Sequence, residues 1–284
     1  MHTREANRKS GPAVMLLSRM VSGLMRPRQP ILGSEMAGEV VEVGAAVTSF
    51  KVGDRVFANT GFRFGCHAEY TAVPEASRIV AMPDGMSFEE VAPATDGALN
   101  ALWCLREGKV RAGERVLVYG ASGAIGTAGV QLARHFGAHV TAVATARTVA
   151  LVKQLGAEEA IDYQAVDFTK SGQTYDVIFD AVGKESFART KASLKVGGRY
   201  LATDGFRNLV LTLWTSRFGD RKVIFHLPPR YTKQDIFFLK DLMERGEYRP
   251  VIDRTYPLEK IVDAARYVET EQKVGNVVLT IPDR

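Results

Sequence analysis

The stretch from Arg115 to Phe136 constrains the fold more than any other part of the chain. Arg115-Val116-Leu117-Val118-Tyr119 is a short apolar run with the length of a buried strand. It passes through the small residues Gly120-Ala121-Ser122-Gly123-Ala124-Ile125-Gly126 into Ala124–Phe136, whose apolar residues recur at helical spacing. A strand entering a helix through such a turn opens a βαβ unit, which predicts a parallel sheet. His139–Ala144, Asp176–Asp180, Gly198–Leu201 and Lys222–Phe225 read as further strands. Helices are expected at Val149–Leu155, around Phe187–Leu194, and at Asp235–Glu244. This alternation is the grammar of a doubly wound α/β sheet.

The flanks read differently. Residues 31–80 look β-rich, with strands expected at Glu39–Gly44, after the turn in Lys51–Phe57, and at Ala68–Val73. Short strands between Gly-containing turns suggest a small barrel-like unit. Ser87 followed by Glu90 is a capping-box pattern that opens a helix, and Gly97–Arg106 is helical in period. A helix near Leu258–Glu269 and a strand Asn276–Ile281 are assigned back to the β-rich part. The expected division is 1–96, 97–245 and 246–284, with the middle segment inserted into a unit built from the other two.

Composition excludes several alternatives. Hydrophobic residues make up 46% and charged residues 24%, as in ordinary globular domains. No apolar run reaches the length of a membrane span, so no membrane partner is expected. The two cysteines, Cys66 and Cys104, do not suggest a disulfide framework, in keeping with a reducing compartment. The net charge of +5 is accounted for by residues 1–30, where six basic residues face Glu5 alone. A nucleic-acid binder would carry its basic residues on a dedicated face, so no nucleic-acid partner is expected. The Arg-rich start superficially suits a transit peptide, but Pro12, Gly23, Pro27 and Pro30 interrupt any long helix there. A cytoplasmic location is expected.

The glycine loop sits where an anion site needs it. Small residues let backbone N–H groups approach a pyrophosphate, and the following helix presents its positive end. Ser122, Gly123, Ala124, Ile125 and Gly126 are the expected contacts, and the pattern is A-x-G-x-x-G because Ala121 stands at the first glycine position. This is a Rossmann dinucleotide signature in its proper strand–turn–helix context. Its bland alternative is a glycine turn that serves helix packing alone. An NAD site would end the second strand with Asp or Glu toward the ribose 2′-hydroxyl. Here Val143-Ala144-Thr145-Ala146-Arg147 holds none. Thr145 can donate to a 2′-phosphate and Arg147 can neutralise it, so NADPH is expected.

These residues carry a family resemblance. Pro30–Val40, Phe50–Val56, Ala68-Glu69-Tyr70, Val118–Gly126, Leu155-Gly156-Ala157, Ile161-Asp162-Tyr163, Asp176–Gly183 and Gly275–Leu279 run nearly the length of the chain. In that order they resemble the medium-chain dehydrogenase/reductase superfamily, in its zinc-independent quinone oxidoreductase branch. The resemblance implies an α/β fold in which a Rossmann domain is inserted in a GroES-like β-rich catalytic domain. It also implies a homodimer, and hydride transfer from NADPH to a small quinone, enone or carbonyl acceptor. Tyr163 falls where the family packs a tyrosine near the adenosine phosphate, and the turn holding Val182 near the nicotinamide. Family members begin with a further block of strands, so the GroES-like part reads as N-terminally incomplete.

Zinc is tested residue by residue. Relatives with zinc carry a histidine in G-H-E, where this chain has Ser34, and they carry more cysteines. A catalytic zinc needs three protein ligands. His67 beside Cys66 is the one sequence-local N/S pair, so no metal is expected.

Candidate catalytic residues are few. Asn100 lies where the resemblance often has threonine, and can hydrogen-bond or simply cap within its helix. Asp96 reads either as the N-cap of the helix from Gly97 or as a proton donor. Phe62 and Phe64 are read either as lining the cleft for a flat acceptor or as capping the barrel. Three functional readings follow: an NADPH-dependent quinone or enone reductase, a zinc-free alcohol or aldehyde reductase, and a non-enzymatic NADPH-binding sensor or relic.

Overall fold

The computed structural model describes residues 29–225 and 229–281. They form two units. The first holds residues up to Thr95 together with Ile252–Lys273 and Val277 onward; the second holds Asp96–Val251 and Val274–Asn276. The chain leaves the second unit after Val251, six residues later than the sequence-based boundary at 245. Tyr248 is buried and Arg249 donates its backbone N–H to Gln131 Oε1 (2.9 Å), which ties 246–251 to the second unit.

In the first unit, β1 (Glu35–Glu39), β2 (Arg55–Asn59) and β3 (Arg78–Ala81) form an antiparallel sheet in that order. Gly38 pairs with Val56, and Phe57 with Val80. Val56, Ala58 and Ile79 form its buried centre, against which Met36, Val40, Phe50 and Val73 pack. Two expected strands are displaced. The alternating run Glu39–Gly44 leaves the sheet after Glu39, because Val40 turns to exchange hydrogen bonds with Gly53 and Asp54. Ala68–Val73 forms no strand, and the ladder place beside β2 goes to Arg78–Ala81, beyond Pro74. Alternation marks a half-buried surface but cannot name the partner that makes it a strand. The capping box at Ser87 and Glu90 is present, opening the short helix α1 (Phe88–Val91).

The second unit is a six-stranded parallel sheet. It comprises β4 (Arg115–Tyr119), β5 (His139–Ala144), β6 (Glu159–Asp162), β7 (Tyr175–Asp180), β8 (Leu194–Ala202) and β9 (Lys222–Ile224). Their order is β6-β5-β4-β7-β8-β9, the doubly wound arrangement expected from the alternation. Around it run α2 (Asp96–Glu107), α3 (Ala124–His135), α4 (Val149–Gln154), α5 (Phe187–Thr190), α6 (Phe206–Arg217) and α7 (Lys233–Glu244). Leu117, Ile178, Tyr175 and Tyr200 are fully buried in its core, each such side chain stabilising by about 1.5–3 kcal/mol. Helix α6, β6 and β10 (Ile252–Pro257) go beyond the elements read from sequence. Helix α8 (Ile261–Glu269) follows β10, which pairs with β11 (Asn276–Thr280).

Candidate nucleotide site and its surroundings

Strand β4 lies between β5 and β7, so the loop after it opens where the strand order reverses. Doubly wound sheets bind ligands at that point. Gly120 takes φ +75°, and the N–H groups of Gly120 and Ala121 both turn to Val143 O. A Cβ on Gly120 would stand 2.5 Å from Val182 Cγ1. The left-handed residue is therefore Gly120, one place before Ala121, whose φ is not positive and whose methyl group is buried. That explains why alanine is tolerated at the first motif position.

Gly123 is the N-cap of α3, and no side chain caps the helix. The N–H groups of its first turn, Ala124-Ile125-Gly126, have no intrahelical partner. Gly126 lets the turn close, since a Cβ there would stand 2.1 Å from Gly120 O. The loop is braced from a distant part of the chain. Gly275 donates to Ser122 O at 2.7 Å and bridges Gly123 in parallel fashion. Gly275 holds φ +65°, and a Cβ there would meet Val251 O at 2.3 Å, so both the backbone and the space call for glycine.

Beyond β5, Thr145 precedes a short 3-10 turn that carries the exposed Arg147, without a side-chain capping bond. Thr148 donates to Thr145 O, and the two hydroxyls lie 3.1 Å apart, so the Thr145 proton is directed at Thr148. Tyr163 is tied alongside by its N–H to Ala144 O (3.1 Å), and its ring is exposed. The nearest carboxylate in register, Asp162 beside Ala144, accepts from the Gln164 N–H (3.0 Å).

At the end of β7, buried Asp180 gathers three donors. Tyr200 Oη reaches it at 2.9 Å, Glu185 N at 2.9 Å and Val182 N at 3.2 Å. This carboxylate shapes the turn that sets Val182 over Gly120. Burial and the Asp180 charge push the Tyr200 phenol far up, so it stays a donor. Burial, with the Glu185 charge, likewise raises the Tyr119 phenol. Asp180, Tyr200 and Gly275 escape sequence reasoning because their partners are distant in the chain; the one local signal is the acidic end of an apolar strand.

Asp96 and Asn100 stand one turn apart on α2. The helix begins at Asp96 itself, so Asp96 is a first-turn carboxylate rather than the cap before Gly97. There it favours the helix dipole. Gly97 lets α2 approach the head of α3, because a Cβ would lie 3.0 Å from the Ala124 backbone. Asn100 Oδ1 accepts from the Cys104 thiol (3.6 Å), and burial pushes that thiol up to about 12. Asn100, Trp103, Cys104, Ala202 and Thr203 line a small cavity of about 50 Å³.

In the first unit Phe62 is 81% exposed and Phe64 holds φ 52°. Neither belongs to the apolar cluster of Val56, Ala58 and Ile79. Glu35 accepts both the N–H (3.0 Å) and the hydroxyl (2.8 Å) of Thr95. Among the described residues no three His, Cys, Asp or Glu gather as a metal site. Cys66 contacts Thr60 Oγ1 at 3.5 Å, and burial raises its thiol. Burial lowers the basicity of His67.

Comparisons with known proteins agree with this arrangement. Residues 14–84 match the alcohol dehydrogenase GroES-like domain, and residues 155–279 match zinc-binding dehydrogenase. The chloroplast envelope quinone oxidoreductase homolog of Arabidopsis thaliana is 31% identical, over 85% of this chain and 78% of its own length. The chain belongs to the medium-chain dehydrogenase/reductase superfamily, on its quinone oxidoreductase-like side. Its GroES-like part and its Rossmann-like part correspond to the expected fold class. The quinone oxidoreductase structure from Coxiella burnetii matches with a TM-score of 0.82 at 26% identity, covering 98% of this chain and 86% of that one. The chloroplastic NADPH-dependent alkenal/one oxidoreductase of Arabidopsis thaliana is 34% identical over 89% of this chain. The chain spans 64% of that relative's length. Relatives of this kind are oxidoreductases, and no described helix is long and apolar enough to cross a membrane.

Proposed function

We propose that the chain binds NADPH in the cradle after β4 and reduces a small enone or quinone without zinc. One observation carries this reading: the uncapped, glycine-lined head of α3 opens beside a strand end that offers Arg147 and no carboxylate. The N–H groups of Ala124, Ile125 and Gly126 would take the pyrophosphate. Arg147 would neutralise a 2′-phosphate, with Tyr163 flanking it. Thr145 contributes a donor there once its hydroxyl turns from Thr148. Val182 would border the nicotinamide end.

When bound, NADPH supplies the hydride. The chain's own part is to hold the acceptor, exclude water and stabilise negative charge on its oxygen. Asn100 suits the last role, because Cys104 occupies its oxygen and leaves the amide N–H groups as donors. Asp96 is the candidate proton donor, and Phe62 and Phe64 offer flat apolar contact. The donors around Cys66 and His67 do not fit a catalytic zinc, and no step is assigned to one. The printed activities of relatives, alkenal/one and quinone reduction, support this acceptor class.

Fluorescence titration with NADPH and NADH tests the cofactor, and oxidation of the bound cofactor by quinones and enones tests the reaction. Tighter NADH binding overturns the cofactor assignment. Turnover abolished by a chelator and restored by zinc overturns the metal-free mechanism. NADPH binding with no turnover of any acceptor leaves a binding protein instead of an enzyme.

A further inference from the structure

A polar groove of about 320 Å³ opens at the far end of α3, lined by Arg134, His135, Gln154, Glu247 and Arg249 among others. The helix runs 12 residues from the glycine loop, so this groove lies about 18 Å from the nucleotide cradle. Each arginine is held there by a contact of its own. Gly156 takes φ +113°, and a Cβ on it would overlap Arg134 Cδ and stand 3.0 Å from Nη1, so the bare turn seats the arginine stem. Buried Gln131, one turn earlier on α3, grips the backbone of residue 249 twice. Its Nε2 donates to Arg249 O (3.0 Å), and its Oε1 accepts the Arg249 N–H (2.9 Å). A last-turn arginine favours the helix dipole, which accounts for Arg134. It does not account for Arg249, which lies on no helix and is fixed beside the same groove.

Charge defines the ligand. Glu247 is the acidic residue of the lining, and both its oxygens are taken, Oε2 by His135 Nδ1 (2.6 Å) and Oε1 by Arg245 Nε (3.0 Å). Neither Arg134 nor Arg249 makes a side-chain hydrogen bond or ion pair among the described residues. Two exposed guanidinium groups therefore share one concave surface without a counter-charge, and like charges so placed repel. An anion that both can reach relieves that repulsion. Guanidinium forks match the oxygens of a phosphate group in pairs, and Gln154 adds an amide to the lining. A groove of about 320 Å³ also has room for the molecule that carries the phosphate. We infer that this groove is a second ligand site, which binds a small phosphorylated molecule by its phosphate group. The sequence carries no sign of it, because Gln131, Gly156 and Arg249 come together only in the fold.

The test is a phosphorus NMR titration of inorganic phosphate with the purified chain at constant ionic strength. A saturable shift is expected for the wild-type chain. R134Q and R249Q should each raise the midpoint by at least about tenfold, because a charge-assisted pair is lost. R134K keeps the charge and should lose less than R134Q. Both arginines are exposed, and melting temperature and circular dichroism check that each variant folds. Excess NADPH should leave the midpoint where it is, as should R147Q. Displacement of phosphate by NADPH, or weakening by R147Q and not by R134Q, would place the ion in the glycine-loop cradle and overturn the proposal. Absence of saturable binding overturns it as well. So does a midpoint unchanged in either R134Q or R249Q, which would leave that arginine a purely structural role.

Discussion

Gly126 and Gly120 are the residues on which the nucleotide cradle most directly depends. Gly126→Val puts a branched side chain where even a Cβ lies 2.1 Å from Gly120 O. NADPH binding should fall below detection in fluorescence titration, while circular dichroism keeps the parallel-sheet signature. Arg147 acts by charge. Arg147→Glu should lower the preference for NADPH over NADH by about 10- to 100-fold, as expected when a charge-assisted hydrogen bond to phosphate gives way to repulsion. Parallel titrations with the two dinucleotides measure that ratio, and an unchanged ratio removes Arg147 from the site. Tyr200→Phe takes one of three donors from buried Asp180 and should cost about 1–3 kcal/mol in urea unfolding.

At the scale of elements, electrostatics between strands adds a pH dependence. Asp176 on β7 accepts from the Arg115 N–H (2.9 Å) on β4 and from Lys195 Nζ (2.7 Å) on β8. Burial raises its carboxyl, but the Lys195 bond, the Arg115 N–H and the Lys195 and Arg199 charges outweigh it and hold the group below the usual aspartate range. A carboxyl depressed on folding stabilises above its unfolded value and loses that contribution as pH falls through the folded one. Thermal melts from pH 6 down to pH 3 should therefore fall more steeply for the wild-type chain than for Asp176→Asn. The cysteines separate by the same logic of burial. Cys104, buried on α2 and pushed up to about 12, should resist iodoacetamide at pH 8, while half-buried Cys66 is alkylated first by mass spectrometry. Faster alkylation of Cys104 would mean that α2 opens from the sheet.

For the whole molecule, ligand linkage gives the simplest check. Saturation at about one hundred times Kd stabilises the bound fold by about 2.7 kcal/mol. NADPH should raise the melting temperature by several degrees, and NADH at equal concentration by less. The chain returns to the second unit at Val274–Asn276, and Gly275 braces the glycine loop there. Gly275→Ala should thus weaken NADPH binding although residue 275 lies some 150 positions from the loop.

What the amino-acid sequence determined by itself was local in origin. Arg115–Tyr119, the glycine turn and α3 were legible because a buried strand and an amphipathic helix write their periods into consecutive residues. The missing acid after β5 was legible for the same reason. Tertiary structure decided what depends on a distant partner: Asp180 with Tyr200, Ser122 with Gly275, Gly97 against Ala124, and the strand place taken by Arg78–Ala81 in preference to Ala68–Val73. It also decided that α6 turns Leu209 and Leu211 to the sheet core. An apolar residue looks the same in sequence whether packing covers it or leaves it to a surface, and only the assembled sheet makes that choice.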